Sequence, residues 1–425
     1  MMKYKDVLEY LKKASVKGSV LGLSRIKKLL ELLGNPQEKL KVVHVSGTNG
    51  KGSFSAMLSS VLKEAGCSVG VFSSPSLVRV NDSFRLDCKV VSDEIFADTL
   101  NAVIEKAENM SDSPTEFELL TAVAFEMFYK CGCDICIIEC GLGGDTDSTN
   151  VIEKPVLSVI TNVQKDHCGI LGNSLSEIAA HKAGIIKRNC PVLYGGMHDE
   201  AFDVIEKKAM MMSAKLFVTD TNKIFDEKYS VNGTVFSFGK YKDIKLSLLG
   251  SFQTVNATNT LTAVEILRRQ GMEISDNAVY RGLEETVWEG RFELIRKDLP
   301  VIFDGAHNPC GMQETVRTVK NCFGEKKLVL LMGVMEDKEY SLYPDMLRDI
   351  ADIVFTVAPD NPRSLNADIL AGFLSENGIN AIASGDFSDG LRMALQYSEK
   401  NKLPLLVLGS LYMYREFKEN FQGLL

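Results

Sequence analysis

The sequence has no long apolar run. Its longest, such as Leu328–Met332, are far shorter than the roughly 20 residues that a membrane-spanning helix needs. The first residues, MMKYKDVLEYLKK, carry Asp6 and Glu9 early and contain no apolar segment typical of a secretion signal. We therefore expect a cytoplasmic protein that neither crosses a membrane nor adheres to one.

An excess of basic residues is also missing. The 425 residues include 48 Lys and Arg against 56 Asp and Glu, which gives a net charge of -8. A net negative charge disfavours broad binding to nucleic acid or to anionic lipid. Small anionic ligands remain compatible, because a local positive cluster can oppose the net charge. We expect small-molecule substrates, no nucleic-acid partner and a monomer.

Cysteine is too sparse for a disulfide framework, with 10 cysteines in the chain, so we expect reduced thiols. Four of them, Cys131, Cys133, Cys136 and Cys140, lie close together and suggest a zinc site. Structural zinc sites usually take their ligands from two turns, whereas Cys136 and Cys140 lie within one strand and its end. We interpret these two thiols as small buried hydrophobic groups.

The chain does contain a regular alternation of apolar strand-like runs and amphipathic helical segments. This pattern predicts an α/β fold with a mainly parallel, doubly wound sheet. Asn232-Gly233, between two β-rich runs, predicts a small antiparallel appendage. The alternation begins again at Val301, which predicts a second, Rossmann-like α/β domain. We divide the chain into an N-terminal domain (residues 1–287), a linker (residues 288–291) and a C-terminal domain (residues 292–425).

A glycine-rich turn, Gly47-Thr48-Asn49-Gly50-Lys51-Gly52-Ser53, joins the predicted strand Val42–Ser46 to a helix. Glycines let backbone N–H groups approach phosphate oxygens, and a helix N-terminus favours anions. Lys51 can reach β/γ-phosphate oxygens and Ser53 can face Mg²⁺. This turn differs from the usual P-loop motif at two positions. Val45 stands where the motif has its first glycine, and Gly52 is an additional residue between Lys51 and Ser53, which are adjacent positions in the motif. The strand–loop–helix context nevertheless favours phosphate binding over an ordinary turn.

Two polar residues follow other predicted strands. Glu139 ends the apolar run that starts at Ile135, and His167 follows the strand Val156–Thr161. Ligands gather at the carboxyl ends of parallel strands, and Mg²⁺ prefers carboxylate oxygens. Glu139 is therefore a candidate metal ligand or a solvated turn residue, and His167 a candidate metal or phosphate ligand. Side chains in the loop after Glu139 are expected to shape it through bonds to its backbone: Asp145, Asp147, Thr149 and Asn150.

For several further positions, the local sequence pattern alone does not decide whether the residue has a functional role. Lys182, on a predicted helix, has a spacing typical of a solvated surface lysine. Asp304 and His307 follow the strand Val301–Phe303 and are either site residues or polar loop residues. Arg291 either reaches a triphosphate or is a surface arginine. Ser410 is either a site residue or the N-cap of the last helix.

Taken together, these segments resemble the folylpolyglutamate synthase/dihydrofolate synthase family of the Mur ligase superfamily, over nearly the whole chain. The most specific segments are GTNGKGS (47–53), SSP (73–75), TEFELLTAVAF (115–125), ECGLGGDTDSTNV (139–151), HKAGIIK (181–187) and DGAHNP (304–309). The resemblance implies an N-terminal ATPase and folate-binding domain and a C-terminal glutamate-ligase domain.

The resemblance also implies a role for individual residues, with Lys51, Lys182 and His307 as the catalytic groups. ATP would contact the loop 47–53 together with Asn256, Arg291 and Asp304. Two Mg²⁺ ions would be held by Ser53, Ser74, Glu139, His167 and a carbamylated Lys182. The incoming glutamate would bind His307 and Ser410, and the loop bordering the folate would contribute Ser76, Arg79 and Asp82.

The implied reaction is ATP-dependent addition of L-glutamate to tetrahydrofolate through an acyl phosphate. Many family members have His at the position of Ser76, and Asn-Glu-Arg-Ile where Asn81-Asp82-Ser83-Phe84 stands here. These differences leave open whether dihydropteroate is a second acceptor. Two alternatives remain, which are another Mur-type amide ligase and a P-loop NTPase module without ligase activity.

Overall fold

The computed structural model describes residues 2–18, 20, 22–197 and 199–424. The chain divides into two compact units. The first unit contains Met1–Lys223 and Val255–Thr286, and the second contains Ile224–Thr254 and Val287–Leu425. No helix of the described residues has both the length and the apolar character needed to span a membrane.

Helices and strands alternate along much of the chain. The helices of the described residues are α1 (Tyr4–Ser15), α2 (Ser24–Leu32), α3 (Lys51–Glu64), α4 (Asp93–Ala107), α5 (Glu116–Lys130), α6 (Cys168–Leu171), α7 (Leu175–Lys182), α8 (Glu200–Met211), α9 (Ser251–Arg269), α10 (Asp276–Glu284), α11 (Pro309–Phe323), α12 (Tyr343–Leu347), α13 (Ala367–Glu376), α14 (Phe387–Asn401) and α15 (Met413–Leu424). The strands are β1 (Val42–Ser46), β2 (Val69–Phe72), β3 (Phe84–Leu86), β4 (Lys89–Val90), β5 (Ile135–Glu139), β6 (Leu157–Ile160), β7 (Val192–Tyr194), β8 (Leu216–Val218), β9 (Ile224–Ser230), β10 (Gly233–Phe238), β11 (Tyr241–Leu246), β12 (Glu293–Arg296), β13 (Val301–Asp304), β14 (Leu328–Met332), β15 (Ala351–Thr356), β16 (Ala381–Ala383) and β17 (Leu405–Leu408).

The first unit is built on an eight-stranded sheet with the order β4-β3-β2-β5-β1-β6-β7-β8. The strands from β2 to β8 in this order pair in parallel, and β3 and β4 add an antiparallel edge. Every residue of β1 and β5 is buried, which explains why these strands are mostly apolar and do not alternate; the polar exceptions are His44 and Ser46 in β1 and Glu139 in β5. The register pairs Val45 with Glu139 and Ser46 with Ile160, so the carboxyl ends of β5, β1 and β6 meet at one edge.

The second unit is built on a six-stranded sheet with the order β12-β13-β17-β14-β15-β16. All neighbours pair in parallel except β12 and β13. Apolar side chains of the central strands, such as Ile302, Leu330 and Leu406, form its core. Asp304 is in register with Leu408, so the loops after β13 and β17 are neighbours.

The predicted antiparallel appendage is a three-stranded sheet with the order β11-β10-β9. It belongs to the second unit, although the predicted N-terminal domain of residues 1–287 included it. Contacts within that unit explain the difference: β9 packs against α11, and the Ser251 amide, which follows the appendage in the chain, donates to Thr318 Oγ1 on α11 at 3.2 Å. The division at residues 288–291 stays a proposal.

The predicted fold class, a mainly parallel α/β domain followed by a Rossmann-like α/β domain, is confirmed. The strand β1 matches its predicted bounds, Val42–Ser46. Lys182 lies on a helix as predicted, at the end of α7, and a 3-10 turn follows at Ala183–Ile185. The short strands β3, β4, β8 and β12 were not predicted.

Candidate active site

The loop between β1 and α3 has a backbone that only glycine adopts easily. Gly47 has a φ of +148° and Gly50 a φ of +82°, values that L side chains rarely reach. A Cβ on Gly47 would overlap Thr161 Oγ1, and one on Gly50 would overlap Asn256 Oδ1. The predicted ATP contact Asn256 therefore lies against the phosphate loop, within the first unit.

Polar residues after β6 hold this loop in place. Thr161 Oγ1 donates to the Asn49 carbonyl at 2.7 Å, and the Asn49 side-chain amide donates to Gln164 Oε1 at 2.7 Å. The Asn49 backbone amide donates to Asn162 Oδ1 at 2.9 Å. Asn162 and Gln164 were not among the predicted site residues, although their position at a strand's carboxyl end was a usable signal.

The structure brings Lys51 and Glu139 together. Lys51 is the first residue of α3, and its Nζ lies 3.8 Å from Glu139 Oε1. The same ammonium donates to the carbonyls of Gly47 and Thr48 at 3.1 and 3.3 Å. Glu139 is only 4% exposed, so it is a buried carboxylate beside a cation, and the solvated alternative is wrong. Buried Ser53 lies on the same first turn of α3.

Lys182 is 4% exposed, so the surface interpretation drawn from its spacing is wrong. Burial and, to a smaller degree, the nearby charge of Lys51 lower the pKa of Lys182 to about 7, while Cys140 and Asp166 act in the opposite direction. A large fraction of this amine is therefore neutral near neutral pH. The last residue of α7 is thus a nucleophilic amine close to Lys51.

Ser74 and His167 follow β2 and β6, the strands that pair with β5 and β1 respectively. The His167 side chain is 45% exposed, and its Nε2 lies 3.9 Å from Asp166 Oδ2. Within the described ranges, no group of three or more His, Cys, Asp or Glu side chains is arranged to hold a metal ion. The donors available are one buried carboxylate, hydroxyls and an imidazole. This set suits Mg²⁺, which binds few protein groups and keeps waters and phosphate oxygens.

The loop after Glu139 is shaped as predicted by its own side chains. Asp147 accepts backbone N–H bonds from Leu142 at 2.9 Å and Thr149 at 3.0 Å. The Asn150 side-chain amide donates to the Asp145 carbonyl at 2.9 Å. Cys136 and Cys140 are buried in the apolar core, in agreement with their interpretation as small hydrophobic groups.

In the predicted folate loop, the candidate residue Asp82 holds the loop's own backbone, and the candidate residue Arg79 connects the loop to α4. Asp82 Oδ2 accepts N–H bonds from Val78 at 2.8 Å and Arg79 at 3.0 Å. The Arg79 guanidinium donates to Asp93 at 2.7 Å. Ser76 is exposed. The substrate contacts of these three residues stay predictions.

In the second unit, the predicted site residues lie on neighbouring strand ends. Asp304 ends β13 and accepts a hydrogen bond from Thr315 Oγ1 at 2.6 Å. Burial raises the pKa of Asp304, while the Thr315 hydroxyl and the Arg291 guanidinium stabilise its carboxylate. The Arg291 guanidinium also donates to the Gly305 carbonyl at 3.4 Å, so Arg291 and Asp304 lie close together.

His307 and Ser410 belong to the adjacent loops after β13 and β17. His307 Nδ1 lies 2.9 Å from the Gly305 carbonyl, and since a carbonyl only accepts, Nδ1 must carry the proton. In the neutral ring, Nε2 is then the acceptor. Ser410 is buried, and its Oγ accepts from the Tyr412 amide at 3.2 Å, which orders the turn before α15.

The chain matches two family models and close relatives along nearly all of its length. Residues 45–266 match the Mur ligase middle domain, and residues 290–411 match the Mur ligase glutamate ligase domain. The dihydrofolate synthase/folylpolyglutamate synthase of Bacillus subtilis is 35% identical over 99% of each chain.

Solved structures agree with these matches. The folylpolyglutamate synthase of Mycobacterium tuberculosis, complexed with ADP and AMPPCP, superposes with a TM-score of 0.90 at 26% identity over 98% of each chain. E. coli FolC, in complex with DHPP and ADP, superposes with a TM-score of 0.86 at 26% identity over 99% of this chain and 98% of that one.

Proposed function

The chain belongs to the folylpolyglutamate synthase/dihydrofolate synthase family of Mur ligases, and from this premise we propose how its residues carry out the family's reaction. That reaction is the ATP-dependent addition of L-glutamate to folate. The observation that carries the proposal is the position of Lys51 beside the buried carboxylate of Glu139, in a loop whose glycine backbone leaves room for phosphate.

ATP would bind with its phosphates on the loop 47–53. Its backbone N–H groups and the N-terminus of α3 favour anionic oxygens, and Lys51 supplies a positive charge to the β- and γ-phosphates. Glu139 and Ser53, with Ser74 and His167 at the neighbouring strand ends, would hold Mg²⁺. When bound, Mg²⁺ neutralises negative charge that develops on the transferring oxygens. Asn256 would contact the nucleotide beside Gly50.

The folate carboxylate needs activation, because an oxide is a poor leaving group. Transfer of the γ-phosphoryl group to a carboxylate oxygen gives an acyl phosphate and releases ADP. Lys51 stabilises the charge on the phosphoryl oxygens during this transfer. The glutamate amine then attacks the acyl carbon, and phosphate leaves with the C–O electron pair.

The second unit would bind the glutamate and make further contacts with the nucleotide. Ser410 and His307 lie on adjacent loops and would bind the glutamate, while Arg291 and Asp304 would contact ATP. The amine must lose a proton as it attacks. His307 is the best candidate to accept it, because its Nδ1–H is committed to the Gly305 carbonyl and its Nε2 then carries the lone pair.

Lys182 would act as a carbamate. Its neutral amine attacks CO₂ through nitrogen and loses one proton to water, which gives a carbamate anion. The lowered pKa supports this step, because a neutral amine is present near neutral pH. The negative carbamate would face the positive Lys51 and supply an oxygen ligand for a second Mg²⁺.

The main acceptor would be a tetrahydrofolate that already carries at least one glutamate. Ser83 stands where an arginine is common in the family, and an arginine provides a five-donor fork for a planar or carboxylate group. Its loss is expected to narrow the acceptor range rather than change the reaction.

The test compares kcat/KM for tetrahydrofolate and for dihydropteroate, each supplied with ATP and L-glutamate. A higher kcat/KM for tetrahydrofolate is expected. A clear preference for dihydropteroate would reverse this order. ADP release that needs no pterin substrate would instead favour an NTPase module without ligase activity.

A further inference from the structure

His44 is a buried group that the reaction described above does not use. It lies in the middle of β1, three residues before Gly47, and is fully buried. Its Nε2 lies 2.9 Å from Thr149 Oγ1 and 3.2 Å from Cys140 Sγ. Within the described part of the chain, its Nδ1 has no hydrogen-bond partner. In the described structure, Nε2 is therefore hydrogen-bonded, whereas Nδ1 is not.

Thr149 connects His44 to Asp147. Both carboxylate oxygens of Asp147 accept backbone N–H bonds, Oδ1 from Thr149 and Oδ2 from Leu142, so Asp147 acts as an acceptor. The Thr149 hydroxyl lies 2.6 Å from Asp147 Oδ1, the shortest of its contacts, and its single proton points there. Thr149 Oγ1 is then an acceptor for His44, which places a proton on Nε2.

The state of His44 agrees with this direction. Burial lowers the pKa of His44 to about 3, and the charge of Lys187 acts in the same direction, so the ring is neutral at pH 7. A neutral ring with Nε2–H leaves only a lone pair at the unpartnered Nδ1. The other tautomer would leave a buried N–H donor without a partner, which is unfavourable.

The three residues join the strand that leads into the phosphate loop to the loop that follows Glu139. A second bond makes the same connection, because Ser46 Oγ donates to the Gly143 carbonyl at 2.6 Å. The His44–Thr149 and Ser46–Gly143 hydrogen bonds both connect β1 to the segment of residues 143–149. The position of the loop after Glu139 is therefore set from the strand that also carries Gly47.

We propose that His44 and Thr149 are positioning residues of the ligase reaction: the hydrogen-bond chain from His44 through Thr149 to the acceptor Asp147 fixes the loop after Glu139 and so orients the Glu139 carboxylate towards Mg²⁺ at the phosphate loop. This inference rests on the proposed function, since it takes Glu139 as a metal ligand. His44 and Thr149 both lie against Cys140 Sγ, at 3.2 and 3.4 Å, and Cys140 directly follows Glu139. Groups that position metal ligands typically contribute roughly 10- to 100-fold to metal affinity or activity.

Thr149→Val removes the hydroxyl and keeps the shape of the side chain. The half-saturating Mg²⁺ concentration is expected to rise roughly 10-fold or more, with a lower kcat and an unchanged KM for L-glutamate. Thr149→Ser restores the hydroxyl and is expected to restore the Mg²⁺ dependence.

Thr356→Val is the matched control. Thr356 is fully buried on β15 in the second unit, and its hydroxyl donates to the Ala367 carbonyl at 2.8 Å. This variant loses one buried hydroxyl by the same chemical change. It is expected to lower Tm by a similar amount without moving the Mg²⁺ dependence. A Thr149→Val enzyme with a lowered Tm but an unchanged Mg²⁺ dependence would overturn the inference.

A second measurement needs neither metal nor activity. Nitrogen NMR of the ligand-free protein with labelled histidine, assigned with His44→Gln, reports which ring nitrogen of His44 carries the proton. A proton on Nε2 is expected. A proton on Nδ1 would show that His44 does not donate to Thr149 and would overturn the inference. If Glu139→Gln leaves the Mg²⁺ requirement unchanged while Nε2 is protonated, the metal assignment fails and the hydrogen-bond chain stands.

Discussion

Lys51 combines three properties that a phosphate-binding residue needs. It opens α3, its ammonium lies 3.8 Å from the buried Glu139, and its nitrogen is already turned towards the loop carbonyls. Lys51→Ala is expected to lower kcat/KM by on the order of 10²–10³-fold, because one charge contact to the transferring group is lost. Lys63→Ala, at an exposed position of the same helix, serves as the control and should retain activity. Near-normal turnover of Lys51→Ala with an unchanged fold would contradict the phosphate-loop assignment.

Lys182 provides a second prediction at the scale of one residue. If its buried, neutral amine forms a carbamate, Lys182→Ala should be inactive and partly rescued by small carboxylic acids, which return the missing oxygens. Native mass spectrometry should detect one added CO₂ in bicarbonate buffer, and its loss at low pH, where carbamates break down. A nucleotide-bound crystal structure with a plain ammonium at Lys182 would contradict the prediction.

His44 makes stability depend on pH in a defined direction. Its folded-state pKa of about 3 lies below the ordinary value of 6.5, so the unfolded chain binds more protons between these pH values. The free energy of unfolding therefore rises with pH across this window and falls on acidification, by up to about 1.4 kcal/mol per pH unit from this group.

Urea unfolding of the wild type and of His44→Gln between pH ~4 and ~7 checks this expectation. The variant has no titrating ring at this position, so its stability should fall less steeply on acidification. Parallel curves for the two proteins would show that His44 does not titrate as its burial requires.

The sequence identified many of the candidate residues but not all of their surroundings. Spacing along a helix does not reveal that Lys182 is buried, because burial depends on the sheet and on the loop that packs over α7. Resemblance to the family was needed to correct that interpretation. Asn162 and Gln164 were missed because their contacts with the phosphate loop join positions more than 100 residues apart.

At the scale of elements, the phosphate loop depends on a backbone shape that only glycine supplies easily. Gly47→Ala is expected to distort the loop and to weaken ATP binding, because its Cβ would overlap Thr161 while its φ is positive. Gly372→Ala, on α13, has open space at the new methyl group and is the control. Calorimetric titration with ATP, together with Tm, distinguishes the two. Unchanged ATP affinity of Gly47→Ala would contradict the proposed role of the loop.

Fully buried strands were the easiest elements to predict. β17 is a continuous apolar run and β1 is apolar except at His44 and Ser46, and short apolar runs between turn residues are typical of a buried strand. β12 (Glu293–Arg296) was missed because it has charged ends and is only partly buried. The strands β9 to β11 were recognised, but local sequence does not state which unit they pack with. Packing of β9 against α11 of the second unit decides it.

At the scale of the whole molecule, we expect the chain to join glutamate to folate through an acyl phosphate. This chemistry divides among residues far apart in sequence. Phosphate and metal binding are assigned to the first unit, through Lys51 and Glu139, and glutamate binding to the second, through His307 and Ser410. Neither set of residues could form an amide bond alone, since activation of the carboxylate and delivery of the amine are separate steps.

The transfer of oxygen from folate to phosphate tests this claim most directly. Tetrahydrofolate with ¹⁸O in its side-chain carboxylates is incubated with ATP and L-glutamate, and the released phosphate is analysed by mass spectrometry. We expect one ¹⁸O atom in each phosphate, with one glutamate added for each ADP formed. Phosphate that carries no ¹⁸O, with ADP released in the absence of folate, would contradict amide formation through an acyl phosphate.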